Sequence, residues 1–171
     1  MADGKVDFSG LWFRGGGGLG GRGRGAGAPP APTTTPDGIP LSTFGEVAGR
    51  GYPLPLQPWA ADLKKRRMAN NQKDNPDVWC LPIGLMQYHN HGQPRQIVQT
   101  KNIMLITYEF ASASRVIRMN WKEEAPGDFW MGWSRGRWEG DTLVVDVTGQ
   151  RKETWFDRSG NYHSEALRVT E

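Results

Sequence analysis

The chain contains three histidines, two of them spaced His89-x-His91 in "MQYHNHGQPRQ". On a strand, residues i and i+2 project to one face, which would set the two imidazoles about 7 Å apart, able to converge on one ion. His163 would then be the third ligand, with the carboxylates of Glu109, Asp157 and Glu165 on or beside the expected strands. Three protein ligands and an open position make a hydrolytic or redox centre, and imidazole suits zinc, copper or iron. A divalent metal on His89, His91 and His163 is one expectation.

A second constellation lies in "TWFDRSGNYHSE", residues 154–165. If "RSGN" is a hairpin turn, Trp155 and Asp157 face His163 and Glu165 across the ladder. Asp157 would then hold His163 in one tautomer, leaving its other nitrogen as general base or acid, and Glu165 would donate a proton or fix the substrate. Such a trio can abstract a proton, dehydrate or isomerise with no cofactor. Its structural alternative is a polar turn, with Asp157 capping "RSGN" and His163 bonded to backbone. Ser164 lacks the strand-to-helix elbow of a nucleophilic serine.

The third signal is aromatic. Trp121, Trp130, Trp133 and Trp138 fall within 18 residues, and Trp155 and Tyr108 lie on other predicted strands. Some must be core; the rest could wall a pocket for a flat, apolar or aromatic ligand. Arg95, Arg118 and Arg135 are candidate counter-charges for an anionic group on it.

These residues need a frame, and the pattern is β. "VDFSGLWF" (6–13) reads as a first strand. After it, "GGGGLGGRGRGAG" holds nine glycines and "APPAPTTTPDGIP" follows, so 15–40 reads as a Gly/Pro-rich loop or linker. Pro58 opens a short helix over about 58–70, with Trp59 and Leu63 on one face and "KKRR" as a solvated face. From residue 96 onward, "QIVQT", "IMLITYEF", "RVIRMNW", "WMGWSRGRW", "TLVVDVT", "ETWFD" and "HSEALRVT" recur through short turns, predicting an antiparallel meander or barrel. All 171 residues are read as one β-rich domain with one short helix.

Composition limits the partners. A net charge of +3, with basic residues spread among acids, argues against nucleic acid, and two RG steps without interleaved aromatics add little. No apolar run reaches membrane-span length. The single cysteine, Cys80 in "DVWCLP", excludes an internal disulfide and reads as a buried, inert thiol.

"DFSGLW", "CLPIG" followed by "QIVQT", "GRWEGDTLVVD" and "TWFDRSGNYHSEALRVTE" together resemble a largely uncharacterised family of small exported bacterial proteins. The resemblance spans about two thirds of the chain. It implies export, with the signal peptide absent from this sequence, and a lipocalin-like fold, but no reaction. Members of that family continue past "VTE" with further strand-like sequence, which predicts an open last strand and a homodimer or larger assembly formed through it. In that family the segment matching His89 and His91 is often aromatic and proline-rich, while the histidine matching His163 is usually kept.

Three functions follow as expectations. The first is a small-molecule-binding barrel doing cofactor-independent acid–base chemistry of lyase, isomerase or cyclase type through Asp157, His163 and Glu165. The second is a metal-dependent enzyme on His89, His91 and His163. The third is a non-catalytic binding or self-assembling protein.

Overall fold

The structure, a computed structural model, describes residues 4–13, 54–90 and 92–171. The Gly/Pro-rich stretch and His91 lie outside the described residues. Seven strands form one sheet in chain order: β1 (Gly10–Trp12), β2 (Arg95–Gln99), β3 (Ile103–Tyr108), β4 (Ser114–Met119), β5 (Trp133–Glu139), β6 (Thr142–Thr148) and β7 (Val169–Thr170). The fold is mainly β. Two α-helices accompany the sheet, α1 (Pro58–Ala69) and α2 (Leu85–Asn90), rather than the single helix expected.

Each tight connection has a local cause. Between β2 and β3, Thr100 N–H donates to the Ile103 carbonyl (2.8 Å), leaving only Lys101 and Asn102 to turn the chain. Between β5 and β6, Gly140 adopts φ +61°, the left-handed conformation that glycine enters without a Cβ penalty. The longer stretch through "KEEAPGD" instead brings the chain back to run alongside the second half of β4 in the same direction. β5 therefore pairs parallel to β4, with Ile117 opposite Ser134, Arg118 opposite Arg135 and Met119 opposite Gly136. Every other pair is antiparallel, so the sheet is mixed rather than purely antiparallel.

Among the described residues the expected barrel is not closed: β1 and β7 each pair with one strand only. The expected strands at "ETWFD" and "HSEALRVT" also differ. Residues 154–164 form no strand, and only Val169–Thr170 pairs, with β6. Asp157 is the reason: its Oδ1 accepts from the Ser159 (3.0 Å) and Asn161 (3.4 Å) amides. A short acidic side chain that captures its own backbone competes with ladder formation. At the other end of the chain the first strand is confined to Gly10–Trp12, with Leu11, Trp12 and Phe13 exposed.

Alternation selects the buried face. Met104, Ile106 and Tyr108 on β3 are buried, as are Arg115 and Ile117 on β4 and Val145 and Val147 on β6. Leu85 and Tyr88 of α2, with Ile83 before it, complete this core. Full burial of such side chains contributes roughly 1.5–3 kcal/mol each.

Helix α1 has Pro58 at its first turn and no side-chain cap from Gln57. Its buried face is not the one expected. Trp59 is exposed and packs edge-on against Tyr162 at 5.0 Å, whereas Ala60 and Lys64 are buried. "KKRR" is therefore not wholly a solvated face: Arg67 donates to the Gly160 carbonyl (2.9 Å) and lies 4.5 Å over the Trp155 ring. Cys80 is exposed rather than buried, because it ends the 3-10 turn Pro76–Trp79 with φ 57°. Among the described residues, no helix is long and apolar enough to cross a membrane.

Gly84 and Gly140 both have positive φ, but only Gly84 is packed, a Cβ there falling 2.6 Å from Thr154 Cβ. Alanine at Gly140 should cost roughly 1–2 kcal/mol from its left-handed backbone alone. Alanine at Gly84 should cost a further roughly 1–3 kcal/mol from overpacking. Chemical denaturation of both variants measures the difference, and equal losses would show that the contact between Gly84 and the 154–164 loop is not tight.

Candidate active site

The sequence-derived trio is taken apart by the fold. Asp157 is fully buried, and its carboxylate is spent on the Ser159 and Asn161 amides and, through Oδ2, on Asn161 Nδ2 at 2.6 Å. His163 is 7% exposed, with Nε2 2.8 Å from Thr154 Oγ1 and Nδ1 3.1 Å from the Ser164 carbonyl. Neither nitrogen is bonded to Asp157. Glu165 lies instead on an open cleft of about 290 Å³ with Glu124, Asp128, Thr148 and Arg168, a lining that does not include His163. The capped polar turn describes these residues, and the relay does not form.

The His163 hydrogen bonds define its proton partners in both states, assigned from the network. When neutral, the ring donates Nδ1–H to Ser164 and accepts the Thr154 hydroxyl at Nε2. When charged, Nε2–H donates to Thr154 Oγ1, whose own proton turns to the Arg151 carbonyl 2.8 Å away. Burial pushes the imidazole below its usual value; the Ser164 carbonyl opposes this and the Arg67 charge reinforces it.

The aromatic residues do not line one pocket. Trp133 and Trp138 lie five positions apart on β5 and so project to opposite faces of the sheet. Each ring is already covered: Trp133 by Arg118 (3.9 Å) and Phe129 (5.6 Å), Trp138 by Phe8 (6.2 Å) and Lys5 (5.8 Å), Trp130 by Arg151 (4.6 Å). Trp155 is buried beneath Arg67, and Trp121 is exposed. Tyr108 is the exception in kind. It is core, 4.6 Å from Tyr88 and 5.7 Å from Arg95.

His89 belongs to α2, not to a strand, so the same-face argument for i and i+2 does not apply to it. His91 lies outside the described residues. Among the described residues, no group of three or more histidine, cysteine, aspartate or glutamate side chains is placed to hold a metal ion. Glu109 is exposed at the edge of a short 3-10 turn.

What α2 does with His89 is different. Its Nε2 lies 2.7 Å from Glu171 Oε1, and the other oxygen of that carboxylate accepts from Arg115 Nη1 at 2.9 Å. Arg115 in turn donates Nε–H to Ser134 Oγ at 2.8 Å. The Arg115 side chain is 2% exposed, Glu171 22% and His89 36%, so the chain of contacts runs from the core to the surface. Val145 and Glu171 exchange both backbone hydrogen bonds at 3.0 Å, which sets the Glu171 side chain on the same face as Val145.

Burial would raise the Glu171 carboxyl, but hydrogen bonding from His89 and the Arg115 charge outweigh it and hold the group below the usual carboxylate value. An ionised Glu171 accepts a hydrogen bond from His89 Nε2–H, so in the neutral ring the lone pair is at Nδ1. Tyr108, beside Arg115, is pushed up by burial against the opposing charges of Arg115 and Arg95. Glu171 and Arg115 went unread as site residues in the sequence. The available signal was Arg115 itself, a charge in the buried phase of "SRVIRM".

Comparison with family models, curated proteins and solved structures gives no match.

Because the folded protein holds His163 neutral, its unfolded chain takes up a proton first as pH falls below about 6.5. The His163 contribution to stability is therefore complete above that pH and is lost on acidification toward the folded value. Urea denaturation at pH 7.5 and 5.5 should show a smaller loss for His163→Gln than for the parent protein. Equal losses would show that another group is responsible.

Proposed function

We propose that the protein binds a small, largely apolar or aromatic carbonyl compound and moves a proton on it without a cofactor, as a lyase or isomerase, with His89 as the base. The observation that carries this reading is the Glu171 carboxylate shared between His89 Nε2 and buried Arg115. Among the described residues nothing bonds to His89 Nδ1, and a carboxylate-oriented imidazole with its second nitrogen free is the arrangement a general base requires. His89 replaces His163 in the role because His163 has both nitrogens bonded to protein groups.

The step is simple. His89 Nδ1 takes a proton from the carbon next to the carbonyl, and the C–H electron pair becomes the enolate double bond with charge on oxygen. The imidazolium then returns that proton to a neighbouring carbon, completing an isomerisation, or the enolate expels a β-substituent that carries the electron pair away and takes up the proton from His89. Glu171 holds the ring by its Nε2–H; Arg115 keeps Glu171 ionised and in place.

The motif resemblance supports a wider reading of an exported, lipocalin-like protein. Self-assembly would use β7, which among the described residues pairs on one side only; at two residues it is a short template for a second chain. Sedimentation velocity should show a dimer or larger species, and a strict monomer across concentrations would end that part of the proposal.

Proton abstraction can be read without knowing the natural substrate. In heavy water, a panel of small ketones and keto acids should exchange carbon-bound hydrogen for deuterium, followed by proton NMR. His89→Ala should slow catalysed exchange by about 10²- to 10⁴-fold. Exchange at the same rate in both proteins would overturn the assignment.

A further inference from the structure

The turn at residues 78–81 plays no part in the core or in the His89 site, yet it is built with care. Val78 (56%), Trp79 (68%) and Leu81 (40%) are exposed, and so is Cys80 between them. Four consecutive apolar residues therefore face solvent, and Trp79 is the most exposed large hydrophobic side chain among the described residues. Single exposed apolar residues are ordinary, but a contiguous set marks a contact surface.

The turn is fixed at its base. Asn75 and Pro76 are buried, Asn75 Oδ1 accepts the Asp77 amide at 3.5 Å, and the Asp77 carboxylate is paired with Arg158. Donors around the tip are used internally. Val78 N–H donates to the Asn75 carbonyl (3.0 Å), Cys80 N–H to the Asp77 carbonyl (3.1 Å) and Leu81 N–H to the Pro76 carbonyl (3.0 Å). The Trp79 indole N–H donates to the Lys73 carbonyl (3.2 Å), and Pro82 has no N–H to satisfy. Such a tip can leave water without stranding these donors, which is the condition for entering an apolar boundary.

Size and charge decide what covers it. One aromatic ring, which buries at most about 250 Å², and three smaller side chains fall short of the roughly 800 Å² per partner of a standard protein interface. A bilayer needs no matching surface, and Trp beside aliphatic residues with basic flanks is the composition that settles at the headgroup boundary. The flanks are Lys73, held against the indole, and Arg66 in the last turn of α1. Both are exposed, and neither is paired with an acid among the described residues. Asp74 acts on Arg67, and Asp77 is taken up by Arg158.

We propose that residues 78–81 are a membrane-surface anchor, in which Val78, Trp79 and Leu81 enter the headgroup boundary of an anionic phospholipid bilayer while Lys73 and Arg66 meet its phosphates. It is a surface contact rather than a span, and it does not depend on His89.

Flotation of the full chain with vesicles is the test, using phosphatidylcholine alone and an equimolar mixture of phosphatidylcholine and phosphatidylglycerol. The protein should bind the mixed vesicles at least tenfold more tightly than the neutral ones. Trp79→Ala should weaken that binding at least tenfold, whereas Trp121→Ala, which removes an exposed ring elsewhere, should leave it unchanged. The double variant Val78→Ser with Leu81→Ser keeps the indole hydrogen bond and should weaken binding likewise, with urea denaturation showing that both variants fold. Cys80 is the single cysteine, so an environment-sensitive fluorophore attached there reads the tip, and its emission should shift to the blue on mixed vesicles. No flotation, equal flotation of Trp79→Ala, equal binding to the two vesicles, or flotation with unshifted emission at Cys80 would each overturn the anchor. Loss of an oligomer in Trp79→Ala with vesicle binding intact would assign the tip to a contact between copies instead.

Discussion

The ion pair between Arg115 and Glu171 is the contact on which the rest of the arrangement depends. It joins β4 to the residue after β7, across two intervening strands of the sheet. A charge as deeply buried as Arg115 is tolerable only when paired and hydrogen-bonded, and removing one partner of such a pair typically costs about 3–5 kcal/mol. Ser134 is small enough to let the guanidinium pass and polar enough to bind it. Gly136, next along the same face, is equally constrained: a Cβ there would fall 2.7 Å from Met119 Sδ. The inner face of β5 is thus kept low where the pair spans it.

Much of the sheet was legible in the sequence because its strands follow one another through short turns and carry period-2 burial. "IMLITY" and "TLVVDVT" are strands for the reasons their alternation gives. The parallel junction of β4 and β5 was not legible, since local pattern states that a strand exists but not which direction its neighbour runs. The same limit hid α2. "LMQYHN" is too short for helical periodicity to declare itself, and its burial comes from packing Leu85 and Tyr88 on the sheet.

The site was legible only in its residue types. His163 and Asp157 were singled out for a hairpin that does not form, because Asp157 binds its own backbone and turns the segment into a compact loop under α1. His89 was singled out for a metal and is instead met by a carboxylate 82 positions away. Sequence separation of that size leaves no local signature. Only Arg115, charged where its strand should be apolar, announced that an acid had to arrive from elsewhere.

The parallel junction has a consequence for how the molecule assembles. It divides the sheet into two sets of strands, β1–β4 and β5–β7, each built of antiparallel neighbours, and the seam between them is only three residue pairs long. Closing a long connection costs more chain entropy than closing a two-residue turn. On the outer side of the seam Arg118 stands opposite Arg135, a repulsion relieved by the Trp133 ring and by Glu124. Hairpins on either side can therefore form early as separate units, and the docking of one on the other, when Arg115 meets Ser134 and Glu171, is the late event in folding and the line along which the native sheet first parts.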